Sequence, residues 1–132
     1  MKLRIIYLYP DELNLYGDTG NVEILFQRSE KRKIEAEVIT LGIEDKVSSD
    51  IFSKASIVFM GGGPDSGQQE MYLDLIEEKG PFLKQYLEEG GTALFICGSY
   101  QLLGDYYKSA DGSLLQGLSF FKMYTEHFGH RK

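Results

Sequence analysis

The residue best suited to chemistry in this sequence is its single cysteine. Cys97 stands between a short apolar segment, residues 93–96, and a segment of helical spacing that opens with Gly98. A nucleophile between a strand end and a helix start is held on a sharp turn, with its side chain projecting from the edge of the sheet. Free N–H groups at such a helix start add positive potential, which favours a thiolate and can hold an oxyanion. The position of Cys97 therefore predicts a cysteine nucleophile.

The same position is also compatible with a structural cysteine. Free cysteine is among the most buried residue types, and a strand end is an ordinary place for it. Phe95, two residues before Cys97, favours this alternative because a tight turn generally has small residues on both sides of its nucleophile. Both interpretations stay open at this point.

Three consecutive glycines, Gly61, Gly62 and Gly63, follow another apolar segment. Consecutive glycines let backbone N–H groups approach a ligand closely, so this loop could supply half of an oxyanion hole. It is a poor nucleotide signature, because Ser66 occupies the last glycine position of a Gly-x-Gly-x-x-Gly pattern and no Gly-Lys-Ser/Thr follows. A glycine-rich turn without a ligand is the alternative.

Two further segments carry weaker signals. Residues 11–21 have Asp, Asn and Gly at turn-forming positions, but also Leu13, Leu15 and Tyr16, which need the domain or a partner to pack on. His127 and His130 have the i, i+3 spacing of a metal pair on a helix. Two ligands without a third are a weak signal, so we predict no metal site.

Composition limits the class of protein. Of the 132 residues, 38 are Leu, Ile, Val or Phe, which is enough for the core of one domain. A net charge of −6 argues against a nucleic acid as the main partner. The longest apolar runs have five residues, so no membrane span or signal peptide is predicted. One cysteine cannot form an internal disulfide, and this fits a cytoplasmic protein.

The elements that position these residues alternate between strands and helices. Apolar segments at residues 3–9, 36–41, 57–60 and 93–96 predict buried strands, and helical spacing follows Gly20 and recurs at residues 66–79 and 81–89. An Asp111-Gly112 turn and the apolar residues 118–124 predict a hairpin or an added strand. This order predicts one α/β domain, a doubly wound, mainly parallel sheet with helices on both faces and ligands at the carboxyl ends of its strands.

Three motifs, in this order, resemble a known family: YPDELNLYGDTGN at residues 9–21, FMGGGPD at 59–65 and ICGSYQLLG at 96–104. Together they are similar to the class I, triad-type glutamine amidotransferases of the cobyric acid synthase-like group. Within that group they look like the free-standing GatD-type glutaminase subunits of lipid II isoglutaminyl synthase. The resemblance covers nearly the whole chain and implies a flavodoxin-like domain, of which these residues form the amino-terminal part.

The resemblance also implies roles for particular residues. Cys97 attacks the side-chain amide of L-glutamine, and backbone N–H groups around Gly62 or Gly63 and at Gly98 stabilise the oxyanion. Gln101 matches a glutamine next to the substrate. Arg131 falls near an arginine that binds the substrate carboxylate. No cofactor or metal is implied for this subunit.

In such proteins the ammonia passes to a Mur-ligase-like ATP-dependent subunit (MurT type), which amidates the D-glutamate of lipid II in peptidoglycan synthesis. The chain departs from the family in having Ser99 in place of a glycine and Phe95 in place of a smaller residue. The family's catalytic histidine lies further downstream than His127 and His130. We therefore predict little or no glutaminase activity for these 132 residues. The alternatives are the amidotransferase part of a cobyrinic or cobyric acid synthase, and a non-catalytic flavodoxin-like binding module.

Overall fold

A four-stranded parallel sheet forms the centre of the structure, a computed structural model that describes residues 1–13, 18–63 and 69–127. The sheet has the strand order β2-β1-β3-β4, and all three neighbouring pairs run parallel. Its strands are β1 (Lys2–Leu8), β2 (Glu35–Leu41), β3 (Ile57–Met60) and β4 (Ala93–Phe95). The predicted parallel sheet is confirmed, and the carboxyl ends of its strands meet at one edge.

Helices cover both faces of this sheet. They are α1 (Asp18–Lys31), α2 (Ser49–Ser53), α3 (Gln69–Asp74), α4 (Gly80–Glu88) and α5 (Gly98–Gln101). Successive residues of β1 point to opposite faces, so Ile5 packs with Val22 of α1 while Ile6 packs with Phe52 of α2 and Leu83 of α4. The doubly wound arrangement is therefore as predicted.

The long helical segment differs from the prediction. A π-helical turn, Leu75–Lys79, joins α3 directly to α4, so no break separates the two predicted helices. Pro81 lies in the first turn of α4, directly after the π-helical turn, and removes one backbone donor from the continuous helical segment. The short helix α2 was not predicted, since five residues give too little periodicity to recognise.

A buried polar cluster fixes the end of β1. Tyr9, the residue after β1, has a φ of 53° and a fully buried side chain. Its hydroxyl donates to Asp74 Oδ2 at 2.7 Å, and Lys79 Nζ donates to the same oxygen at 2.5 Å. Burial, together with the hydrogen bond to the Asp74 carboxylate, raises the pKa of Tyr9, so its hydroxyl remains a donor. The cluster ties the end of β1 to the π-helical turn.

A second sheet follows α5 and has the order β6-β5-β7, with β5 (Tyr106–Lys108), β6 (Leu114–Gln116) and β7 (Tyr124–Glu126). Strands β5 and β6 form the predicted hairpin. In its turn Gly112 has a φ of 86°, and hydrogen bonds from Ser109 and Ser113 lower the pKa of Asp111 to about 2. Residues 118–123 are a loop and not the predicted strand, because their N–H groups donate to carbonyls such as that of Leu103 after α5.

Candidate active site

Cys97 lies on a strained turn between β4 and α5. Its backbone has φ 55° and ψ −119°, a region that residues with a Cβ rarely adopt and that costs on the order of 1–3 kcal/mol. Its side chain is exposed, so the interpretation as a buried structural cysteine is wrong. Phe95 does not prevent the turn, because its side chain packs on the buried core. An exposed thiol on a strained strand-to-helix turn is the geometry of a nucleophile elbow.

Ser99 braces this turn with a hydroxyl group that is buried in the domain. The residue is 1% exposed, and its Oγ accepts a hydrogen bond from the Ile96 N–H at 2.9 Å. The same hydroxyl can donate its single proton to either of two carbonyl oxygens, that of Met60 at 2.8 Å or that of Ile96 at 2.9 Å. Ser99, where the resembled family has glycine, thus ties the start of α5 to the end of β3.

The glycine loop after β3 packs tightly against the start of α1. A Cβ at Gly61 would lie 2.4 Å from the Leu13 carbonyl oxygen and 2.6 Å from Asp18 Oδ2, so only glycine fits there. The Gly62 N–H donates to Asp18 Oδ2 at 3.0 Å. Because this N–H is already engaged inside the domain, the Gly62 amide is not directed at a ligand. Of the two glycines proposed as alternatives, Gly63 stays the candidate oxyanion donor.

Gly63 lies beside the Cys97 turn. A Cβ built on Gly98 would be 4.0 Å from the Gly63 carbonyl oxygen and 4.0 Å from Gln101 Oε1. Gly63, Gly98 and Gln101 also line one cleft, whose remaining walls include Leu13, Met71 and Tyr72. The fold therefore brings the loop after β3 together with the first turn of α5. This was expected, because both segments follow parallel strands whose carboxyl ends lie at one edge of the sheet.

Several sequence predictions fall outside the described residues or gain no support. Arg131, His130, Leu15 and Tyr16 lie outside the described ranges. His127 follows strand β7, and its N–H donates to the Lys108 carbonyl oxygen at 2.9 Å, so it does not stand on the helix that its spacing to His130 suggested. Among the residues that the structure describes, no group of three or more metal-ligating side chains forms. No described helix is long and apolar enough to span a bilayer.

Sequence reasoning missed two residues that shape the site, Asp18 and Ser99. Asp18 stands in the first turn of α1, where an acidic residue is common because the helix dipole favours it. This common pattern did not indicate that the Asp18 carboxylate accepts a hydrogen bond from Gly62, which lies 44 residues further along the chain. Ser99 gave no signal beyond its departure from the family pattern. Both residues act through contacts with the end of β3, which only the folded chain creates.

A family model described as the CobB/CobQ-like glutamine amidotransferase domain matches residues 4–132 of the chain. Two curated proteins are also similar to it, both named as subunit GatD of lipid II isoglutaminyl synthase (glutamine-hydrolyzing). The protein from Staphylococcus aureus (strain N315) is 39% identical over 125 residues, 95% of this chain and 50% of that protein. The one from Streptococcus pneumoniae (strain ATCC BAA-255 / R6) is 34% identical over 124 residues, 94% of this chain and 46% of that protein. The chain spans about half the length of these relatives.

Proposed function

The chain belongs to the CobB/CobQ-like glutamine amidotransferase domain family, and on that premise we propose that it is the amino-terminal part of a glutaminase that releases ammonia from L-glutamine. One observation carries the proposal most directly. Cys97 is an exposed thiol on a strained turn, and Gly63 and Gly98 lie beside each other at that turn. A nucleophile next to closely approaching backbone groups is the arrangement that acyl transfer from an amide requires.

In the proposed reaction the Cys97 thiolate attacks the side-chain amide carbon of glutamine and forms a C–S bond. The carbonyl oxygen becomes an oxyanion that accepts hydrogen bonds from the N–H groups of Gly63 and Gly98. Each such donor contributes about 3–4 kcal/mol in well-studied acyl-transfer sites. The C–N bond then breaks, ammonia leaves with a proton from a general acid, and a γ-glutamyl thioester remains. Water hydrolyses the thioester to glutamate and restores the thiol.

Two further residues complete the proposed substrate site. Gln101 lies on the first turn after Cys97 and lines the cleft with Gly63, so we assign it to contact glutamine. Arg131 is assigned to the substrate carboxylate from the family resemblance. The family's histidine base lies further downstream, so we expect the 132 residues alone to hydrolyse glutamine slowly or not at all.

The proposed destination of the ammonia follows from the names of the relatives. Both curated proteins are named as subunits of lipid II isoglutaminyl synthase. We therefore propose that a Mur-ligase-like, ATP-dependent partner (MurT type) uses the ammonia to amidate the D-glutamate of lipid II in the cytoplasm. Amidation of a cobyrinic acid derivative has the family name as its support. A non-catalytic flavodoxin-like module leaves the strained, exposed thiol of Cys97 unexplained.

Covalent labelling of Cys97 tests the glutaminase proposal without needing complete turnover. The glutamine analogue 6-diazo-5-oxo-L-norleucine reacts with thiols placed where a glutamine amide binds, whereas iodoacetamide needs only an accessible thiolate. We expect both reagents to label Cys97 in the folded chain, the first with saturation kinetics. The D-enantiomer of the analogue and the Cys97→Ser variant are the controls. Equal labelling by the two enantiomers, or none by either, would count against a glutamine site.

A further inference from the structure

The buried carboxylate of Asp18 is a feature that the proposed reaction does not use. Asp18 is 1% exposed, and burying a charged group is costly unless hydrogen bonds compensate it. Its Oδ2 accepts the Gly62 N–H at 3.0 Å, and its Oδ1 has Asn21 Nδ2 at 3.5 Å. Asp18 also begins the 14-residue helix α1, whose dipole favours an anion at that end. Of these two hydrogen bonds, the one to Gly62 is the shorter.

The side chain of Asp18 lies in close contact with the glycine loop. A Cβ at Gly61 would lie 2.6 Å from both Cγ and Oδ2 of Asp18, so the carboxylate lies directly against the Gly61 backbone. The Leu13 carbonyl oxygen closes the same space from the loop after β1. Both Gly61 and Gly62 are buried. The loop cannot shift in this direction unless Asp18 shifts with it.

Three consecutive glycines need such an anchor because glycine populates many backbone conformations of similar energy. The Gly62 N–H belongs to the peptide group next to the one that carries the Gly63 N–H, so holding the first sets the position of the Gly62 Cα from which the second extends. Gly63 in turn lies beside Gly98 at the Cys97 turn. We propose that Asp18 is a positioning residue, which holds Gly62 so that the Gly63 N–H stays in place for the oxyanion. This inference rests on the proposed glutaminase function.

The proposal requires an acceptor oxygen at position 18 and not a negative charge. Asp18→Asn keeps an oxygen that can accept the Gly62 N–H, whereas Asp18→Ala removes it. Asp18→Leu also lacks an acceptor but keeps the branched shape of the side chain at slightly larger volume, so it covers the case in which the alanine variant does not fold. Asp45→Ala is the matched control, because Asp45 Oδ2 accepts the Gly42 N–H at 2.7 Å in the exposed loop after β2.

The experiment measures the rate of Cys97 labelling in the wild-type chain and these variants. With 6-diazo-5-oxo-L-norleucine we expect Asp18→Ala to lower the maximal labelling rate by at least about tenfold, with half-saturation changed by less than about threefold, as for a lost oxyanion donor. Asp18→Asn should restore the rate to within about threefold of wild type, since a neutral acceptor makes a weaker bond than a carboxylate. Labelling by iodoacetamide should be unchanged in every variant, as should both rates in Asp45→Ala.

Each other outcome contradicts a distinct claim. If the wild-type chain reacts with iodoacetamide but not with the glutamine analogue, the proposed function is wrong. If the wild type reacts with both, and a folded Asp18→Ala or Asp18→Leu chain reacts as fast as wild type, the positioning role is wrong and the function stands. A parallel loss of iodoacetamide labelling, or failure of both variants to fold by circular dichroism, would assign Asp18 to stability and also overturn the positioning role.

Discussion

Tyr9 and Cys97 have nearly the same positive φ and opposite surroundings. Each follows a parallel strand at the same edge of the sheet, and their φ angles are 53° and 55°. Tyr9 is fully buried, and its own side chain is held by Asp74. The Cys97 side chain is exposed, and the turn that carries it is held by the neighbouring Ser99.

This difference shows that a strained backbone does not by itself mark a functional residue. At Tyr9 the strain is offset by interactions of the strained residue, so the arrangement stabilises the fold. At Cys97 the stabilising hydrogen bonds belong to another side chain, which leaves the thiol available for chemistry. The Cys97 turn differs from Tyr9 in two ways: its reactive side chain is exposed, and hydrogen bonds of the neighbouring Ser99 hold its backbone.

The largest expected effect is a loss of stability at the buried cluster of Tyr9, Asp74 and Lys79. Lys79→Met leaves the Asp74 carboxylate without its buried cation, and breaking such a pair typically costs about 3–5 kcal/mol of the free energy of unfolding. Urea denaturation measures this loss. Lys31→Met, at an exposed lysine of α1, should change it by less than about 0.5 kcal/mol. Adding Asp74→Asn, which removes the unpaired charge and keeps an acceptor for the Tyr9 hydroxyl, should recover much of the loss. A cost near zero for Lys79→Met alone would show that the ion pair does not hold this cluster.

A smaller effect is expected at the brace of the cysteine turn. Ser99→Ala removes the hydroxyl that joins Ile96 and Met60, which should cost about 1–2 kcal/mol of unfolding free energy. Labelling of Cys97 by the glutamine analogue should slow as the turn loosens. Ser53→Ala is the matched control, because the Ser53 hydroxyl donates to the Asp50 carbonyl oxygen at 3.0 Å on the surface. Unchanged stability and labelling in Ser99→Ala would remove Ser99 from the site.

The smallest effect has the opposite sign. Cys97→Gly relieves the strain of a positive φ, and after the entropy that glycine adds to the unfolded chain the net gain should be about 1 kcal/mol of stability. Cys97→Ala keeps the Cβ and therefore the strain, so it serves as the reference in the same urea titrations. A glycine variant no more stable than the alanine variant would mean that the turn at Cys97 is unstrained.

The sequence predicted the features that local patterns specify. Continuous apolar segments gave the four parallel strands, and Gly61, Gly62 and Gly63 marked a close backbone approach. It did not predict helix α2 or the π-helical turn, since the turn accompanies the burial of Lys79 against Asp74. It also predicted a hairpin or an added strand from the apolar residues 118–124. Residues 118–123 form a loop instead, because their N–H groups donate to carbonyls such as those of Leu102 and Leu103.

For the site, the sequence by itself determined that a lone cysteine stands between a strand and a helix, with a glycine loop at a neighbouring strand end. The tertiary structure decided that Asp18 accepts the Gly62 N–H and that Gly63 lies beside Gly98. It also decided that Cys97 is exposed and strained, with Ser99 as its brace. Strand, helix and turn patterns depend on neighbouring residues, whereas these hydrogen bonds join segments that meet only when the parallel strands align.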